Sequence, residues 1–233
     1  MINSLKRVVN NMEIIEVKDK KEGARIAFDL LKKIVNKETA LFLSGGSSPK
    51  VLYELISQDT TCSVKPLAFC TVDERWGSPD HKDSNELMIE QTGLYVYAKA
   101  VGIEVHKILG GILNRSETAK RYIVVLEGVL ARAASSVAIM GIGIDGHTAG
   151  IAPGIKFDRE SLVGDYIHVA PDWQYPERIT ITPKALGIIE KRIILAYGED
   201  KLPALRALIK GKNENYSKKI KGTTYLITDQ KLA

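Results

Sequence analysis

An α/β fold built on a parallel or mostly parallel sheet covered by helices is what this sequence predicts, and three features predict it. Short apolar runs alternate with amphipathic segments along the whole chain. The amphipathic segments keep their apolar residues at helical spacing on one face. The composition, 45% hydrophobic, 26% charged and 6% aromatic over 233 residues, is that of an ordinary globular protein able to bury about 70% of its unfolded surface without disulfide staples.

Taken in order, the expected strands are Glu13–Val17, Ala40–Leu43, Leu67–Val72, Glu104–Ile108, Val137–Met140, Ile167–Ala170, Arg178–Ile181, Ile193–Tyr197 and Thr224–Ile227. Between the first two, Lys20 to Val35 places Ala24, Ala27, Phe28, Leu31, Ile34 and Val35 on one face. Ser116 to Ala131 does the same with Ala119, Ile123, Leu126 and Leu130. Lys50–Ile56 and Leu202–Lys210 are shorter helical segments. There is no internal repeat, low-complexity tract or long Pro/Gly linker, so residues 1–233 are expected to form a single domain. The stretch from Gly141 to Tyr175 is long, glycine-rich and loop-like, as functional loops often are.

The first residues are broken by Asn3, Lys6, Arg7, Asn10 and Glu13 before any apolar run develops, and no secretory signal is expected. The longest apolar stretch, Tyr122–Ile144, is interrupted by Glu127 and Arg132 and falls short of the roughly 18 uncharged residues of a membrane span. Cys62 and Cys70 are the only cysteines. A cytoplasmic protein with free thiols and no membrane segment is therefore expected. The net charge of +5 is concentrated after Glu199, where eight basic residues face four acidic ones. Such a field favours anionic ligands. Nucleic acid is not expected, because no arginine-rich arm, aromatic interleaving or reader motif accompanies the lysines.

Three loops at strand ends carry the chemistry. Ser44-Gly45-Gly46-Ser47-Ser48-Pro49 joins a strand to a helix and reads as a capped turn, with Ser48 the N-cap and Pro49 the first helical residue. Glycines there let backbone N–H groups approach an anion at the helix start, although the spacing is not that of a P-loop. Asp73-Glu74-Arg75-Trp76 follows the next strand, with Asp73 and Arg75 alternating onto one face. Downstream, Asp83 and Glu86 have the spacing of a capping box. The third loop contains Gly141, Gly143 and Gly146 in a formal Gly-x-Gly-x-x-Gly. A dinucleotide site is rejected because no clear amphipathic helix follows and Pro153 and Gly154 cut the segment. Asp145 and His147 are more telling, since a carboxylate beside an imidazole fixes its tautomer and makes it a general base near neutral pH. His81, His106 and His168 are read as structural. No nucleophile elbow, activated cysteine or metal-ligand spacing occurs, so direct attack by water is favoured and no metal or other cofactor is expected.

Together, Leu43–Pro49, Asp73–Trp76 with Asp83–Glu86, and Gly141–Ala149 with Pro153-Gly154 resemble the motif series of the 6-phosphogluconolactonase family. The resemblance continues through Arg178–Thr182 and Gly198–Lys201, and extends to the wider superfamily that includes glucosamine-6-phosphate deaminases. It implies a modified Rossmann-like fold, with room for a small β-rich subdomain, and a sugar phosphate as the partner of a monomer or small homo-oligomer. The implied reaction is hydrolysis of 6-phospho-D-glucono-1,5-lactone to 6-phospho-D-gluconate, the second step of the oxidative pentose phosphate pathway. His147, oriented by Asp145, would be the catalytic base. Arg75, or N–H groups near Gly45 and Gly46, would support the oxyanion. Arg178 and Lys201 would hold the phosphate with Ser44, Gly45 and Gly46, and Ser47 and Asp73 would complete the substrate site. Deaminases of the superfamily carry a catalytic glutamate five positions after the histidine, where this chain has Ala152. Gly150-Ile151-Ala152 and Gly77-Ser78 depart from the family's usual Ser-Leu-Phe and Val-Pro. A deaminase and a non-catalytic sugar-phosphate-binding regulator are the alternatives.

Overall fold

The computed structural model describes residues 6–111, 114–167, 176–213 and 222–232. Its strands are β1 (Lys6–Val9), β2 (Met12–Glu16), β3 (Thr39–Leu43), β4 (Ala68–Thr71), β5 (Asp73–Arg75), β6 (Glu104–His106), β7 (Ser135–Met140), β8 (Val163–Ile167), β9 (Glu177–Ile181), β10 (Lys191–Ala196) and β11 (Thr223–Thr228). Its helices are α1 (Lys20–Ile34), α2 (Ser47–Ser57), α3 (Asn85–Gln91), α4 (Leu94–Val101), α5 (Arg115–Arg132), α6 (Pro183–Ile188) and α7 (Leu202–Ile209), the last preceded by a 3₁₀ turn at Glu199–Lys201.

Among the described residues eight strands form one sheet in the order β1-β2-β11-β10-β7-β3-β4-β6, and every pairing in it is parallel except β1 with β2. From β3 the chain builds outward to β4 and β6, then α5 carries it back to place β7 on the other side of β3. From β7 it builds the opposite way through β10 and β11. The order therefore reverses between β3 and β7, and a ligand crevice is expected beyond the carboxyl ends of those two strands. The loops at Ser44 and Gly141 leave from there.

The sheet is buried on both faces. In β3, Ala40 and Phe42 belong to one apolar cluster with Tyr122, Leu126 and Val129 of α5, while Leu41 and Leu43 belong to the other with Ala24, Ala27 and Leu31 of α1 and Leu52, Tyr53 and Ile56 of α2. Alternation along an all-apolar strand is the mark of a strand covered on both sides. Of the expected face of α5, Ala119 and Leu126 are buried, together with Tyr122 and Val129, whereas Ile123 and Leu130 are only partly buried, so the buried stripe is rotated toward Tyr122 and Val129. This helix starts at Arg115 because Asn114 accepts from the Glu117 N–H at 2.9 Å and Glu117 returns a bond to the Asn114 N–H. That reciprocal cap typically stabilises a helix by about 0.5–2 kcal/mol.

A second, antiparallel sheet has the order β5-β9-β8. It is continuous with the large one through Val72, whose N–H donates to Leu43 O and whose carbonyl accepts from Ile181 N–H, each at 2.9 Å. Neither β5, which is Asp-Glu-Arg, nor β8, which carries Gly164 and Asp165, has the apolar run of a strand; pairing with β9 makes them strands. The expected strand at Ile167–Ala170 begins where β8 ends, and residues 168–170 lie outside the described residues, as does His168. No helix among the described residues is long and apolar enough to cross a membrane.

Candidate active site

Beyond the carboxyl ends of β3 and β7 lies a cleft of about 520 Å³, and nine of the ten residues singled out in the sequence line it: Ser44, Gly45, Gly46, Ser47, Asp73, Arg75, His147, Arg178 and Lys201. The tenth, Asp145, stands behind His147 and lines an adjoining cavity with Ile144 and Pro203. Asn85, Tyr197 and Asp200 join the wall as well.

The β7 loop is built around the imidazole. Asp145 Oδ1 accepts from both His147 Nδ1, at 2.6 Å, and the His147 N–H, at 3.0 Å. The bond to Nδ1 puts the ring proton there and leaves the lone pair on Nε2, the form a general base requires. Two of the three glycines follow from the same geometry. A Cβ on Gly143 would run into the imidazole, and Gly146 turns the chain at φ 86°. Gly143 and Gly146 therefore shape a histidine turn, and the next element in the chain is a strand, not the helix a dinucleotide loop would open.

The rest of this loop is tied to the small sheet. The Gly150 N–H donates to Thr180 Oγ1 at 3.0 Å, Tyr166 OH donates to Gly150 O, and the Ala152 N–H donates to Tyr166 OH at 3.3 Å. A Cβ on Gly150 would lie 2.9 Å from Thr180 Cβ and 3.3 Å from Asp73 Cβ. The departure from the usual serine at this position thus has a packing cause, because the loop runs closer to β9 than a side chain allows.

In β5, Asp73 and Arg75 point into the cleft, as alternation predicts. The register sets Arg75 directly across from Arg178, and Asp73 across from Thr180. Two guanidinium groups facing each other across a ladder destabilise it unless negative charge lies between them. Asp73, only 5% exposed, supplies part of that charge. Burial pulls the Arg178 pKa below its ordinary value; Asp73 opposes this and Arg75 adds to it. A bound anion would relieve the same repulsion. Arg75 is anchored by Nη1 donating to Asp83 O at 2.7 Å.

The opposite wall is the β3–α2 turn. Helix α2 begins at Ser47 with Gly46 at φ 94° in the cap position, so the cap residue offers no side chain to its first N–H groups. Ser48 is consequently the second helical residue and not the N-cap. The start of the helix is left open toward the cleft. Ser44 Oγ, on a residue 4% exposed, has no hydrogen-bond partner among the described residues, while Ser44 O is held by Tyr53 OH at 2.8 Å. Lys201 closes this side, with its Nζ 3.8 Å from Asp200 Oδ2.

The downstream capping box takes another form. Ser84 caps α3 by accepting from the Leu87 N–H at 3.1 Å, and Asp83 does not. Glu86 turns away and accepts from the N–H groups of Ile108 and, at 3.2 Å, Leu109. His81 Nε2 lies 2.9 Å from Arg75 O and His106 Nε2 3.1 Å from Glu104 Oε2, consistent with structural roles. Cys62 is exposed and Cys70 buried, both unbridged, and burial pushes the Cys70 thiol up to about 12.

Burial, followed by the charge of Glu74, pushes Glu86 up to about 8 from an ordinary 4.5. The folded state therefore holds a proton that the unfolded chain releases between those values. Its contribution to stability is complete below about pH 4.5 and is lost as pH rises through about 8. We expect the unfolding free energy to fall across this window by up to about 1.4 kcal/mol per pH unit, and Glu86→Gln, which keeps the neutral form, to flatten the slope. Chemical denaturation at a series of pH values measures this directly, and a flat wild-type curve would contradict it.

Residues 20–223 match the profile of the family described as glucosamine-6-phosphate isomerases/6-phosphogluconolactonase. The chain is 30% identical over 198 residues to the 6-phosphogluconolactonase of Xylella fastidiosa (strain Temecula1 / ATCC 700964), covering 79% of this chain and 77% of the relative. It is 29% identical over 213 residues to the glucosamine-6-phosphate deaminase of Streptococcus equi subsp. equi (strain 4047), covering 86% and 87%. The solved 6-phosphogluconolactonase from Trypanosoma brucei shares the fold, with a TM-score of 0.76 at 17% identity over 92% of this chain and 95% of that one.

Proposed function

Since the chain belongs to the glucosamine-6-phosphate isomerase/6-phosphogluconolactonase family, we propose that it hydrolyses 6-phospho-D-glucono-1,5-lactone to 6-phospho-D-gluconate, the second step of the oxidative pentose phosphate pathway. The observation that carries the proposal is the His147–Asp145 pair, 2.6 Å apart, on the wall of a cleft that Arg75, Arg178 and Lys201 also line. In this reading His147 takes a proton from water as its oxygen bonds to the lactone carbonyl carbon. Asp145 stabilises the imidazolium, and the tetrahedral intermediate collapses by breaking the bond to the ring oxygen, which receives that proton. Arg75 or the N–H groups of Gly45 and Gly46 stabilise the oxyanion. Arg178 and Lys201 grip the phosphate, Ser44 Oγ and the open start of α2 complete that grip, and Ser47 and Asp73 bind the sugar. The cleft takes residues from both sheets, which supports treating residues 1–233 as one catalytic domain. The sugar phosphate is the only partner this reading requires.

The deaminase relatives of similar identity make that activity the competing reading. Position 152 argues against it: Ala152 is 1% exposed and offers no carboxylate five residues after the histidine. The two are separated by assaying fresh 6-phosphogluconolactone at slightly acidic pH, above spontaneous hydrolysis, alongside ammonia release from glucosamine 6-phosphate. We expect lactone turnover without ammonia. Ammonia without lactone turnover would replace the proposal with the deaminase, and binding of 6-phosphogluconate with neither activity would make the chain a binding protein.

A further inference from the structure

Glu74 is wholly buried, and its side chain leaves β5 on the side opposite to Asp73 and Arg75. Its carboxylate nonetheless collects four donors. Oε1 accepts from the N–H groups of Arg75, at 2.6 Å, and Asn85, at 2.8 Å. Oε2 accepts from Ser84 Oγ and the Glu86 N–H, both at 2.8 Å. The group therefore ties β5 to the first turn of α3. Asn85, fixed in this way, donates back through Nδ2 to Asp73 O at 2.9 Å and faces Asp73 Oδ2 at 3.4 Å. On its other side Asn85 lies so close to Gly45 that a Cβ there would overlap its amide. A continuous run of contacts thus leads from Glu74 to Arg75 directly, and through Asn85 to Asp73 and the Ser44–Gly46 turn, all of which line the cleft.

We infer that Glu74 is a positioning residue for the reaction, setting Arg75 and Asn85, and through Asn85 the Gly45 backbone, relative to the substrate. The inference rests on the lactonase reading above. The same carboxylate displaces the expected Asp83–Glu86 cap: it takes the Glu86 N–H that Asp83 would have served, while the Asp83 N–H that Glu86 would have served lies 3.3 Å from His81 Nδ1 and the Glu86 carboxyl goes to Ile108 and Leu109.

The test is Glu74→Gln, which keeps the shape but must point an amide N–H₂ at one of the two donor pairs. Because an error of about 1 Å in placement can cost about 10²-fold in rate, folded E74Q is expected to lose about 10- to 100-fold in kcat with a smaller change in KM. Combined with Asn85→Ala, it should lose little beyond the larger single effect, as groups acting through one another do. A residue that served stability alone would lower Tm and leave kcat of the folded enzyme intact, and that result overturns the inference. If E74Q does not fold, Asn85→Asp tests the same run from its other end by setting an oxygen against Asp73 O and Oδ2, and wild-type kcat in that variant overturns it equally. An inactive wild type would overturn the lactonase reading itself and this inference with it. An active wild type with an equally active E74Q would overturn this inference alone.

Discussion

Replacing His147 with alanine is expected to lower kcat for lactone hydrolysis by about 10² to 10⁴-fold, the usual contribution of a positioned acid–base group. This corresponds to about 3–5 kcal/mol of barrier. KM should change little, because the groups proposed to grip the phosphate belong to other elements. Fold should be kept as well, since the ring lines an open cleft and supports no apolar cluster. Asp145→Asn is the sharper partner variant. It keeps an oxygen for the His147 N–H but weakens the preference for the Nδ1–H tautomer, so it should also lower kcat, by less than His147→Ala. Steady-state kinetics of the two variants against the spontaneous rate checks both statements.

Removing Arg178 should strike capture of the substrate. A charge-assisted, bidentate grip on a phosphate contributes about 2–5 kcal/mol when desolvated. Arg178→Ala should thus lower kcat/KM by about 30- to 5,000-fold, with most of the loss in KM. The diagnostic readout is a comparison of substrates. The variant should lose far more against the phosphorylated lactone than against plain gluconolactone, and discrimination between them should shrink by nearly the whole loss. Stability shifts in two directions at once: Asp73 loses a cationic neighbour, while the Arg75–Arg178 repulsion across β5 and β9 disappears. Arg178→Lys keeps the charge without the fork and should fall between wild type and alanine. Equal losses on both lactones would place Arg178 outside the phosphate grip.

Much of this site is legible in the sequence because its residues sit where strands end. Ser44, Asp73 and His147 each follow an apolar run within a few residues, and a parallel sheet gathers such ends on one edge. The residues that the sequence left without a role reach the cleft through tertiary contacts. Asn85 is carried in on the first turn of α3 by Glu74, eleven positions away in sequence, and nothing in its local spacing marks it. Tyr197 and Asp200 arrive from the end of β10 and the 3₁₀ turn after it. The small sheet fits the small β-rich subdomain that the resemblance allowed, and β9 reads as a strand, but β5 and β8 are hidden for the same reason, since they are polar segments that become strands only against β9. Local rules misled at two caps. Gly46 with φ 94° starts α2 where Ser48 has the better side chain, and the Asp83–Glu86 spacing of a capping box is overridden because Ser84 caps α3 and the Glu86 N–H goes to the buried carboxylate of Glu74 in β5.

The most direct test of the whole account is the rate of 6-phosphogluconate formation from freshly generated lactone, with wild type and His147→Ala measured side by side at equal concentration. The account predicts acceleration over the spontaneous reaction by the wild type and near-background rates for the variant. A folded His147→Ala protein that matches the wild type would contradict it, by removing the base on which every step of the proposed chemistry depends.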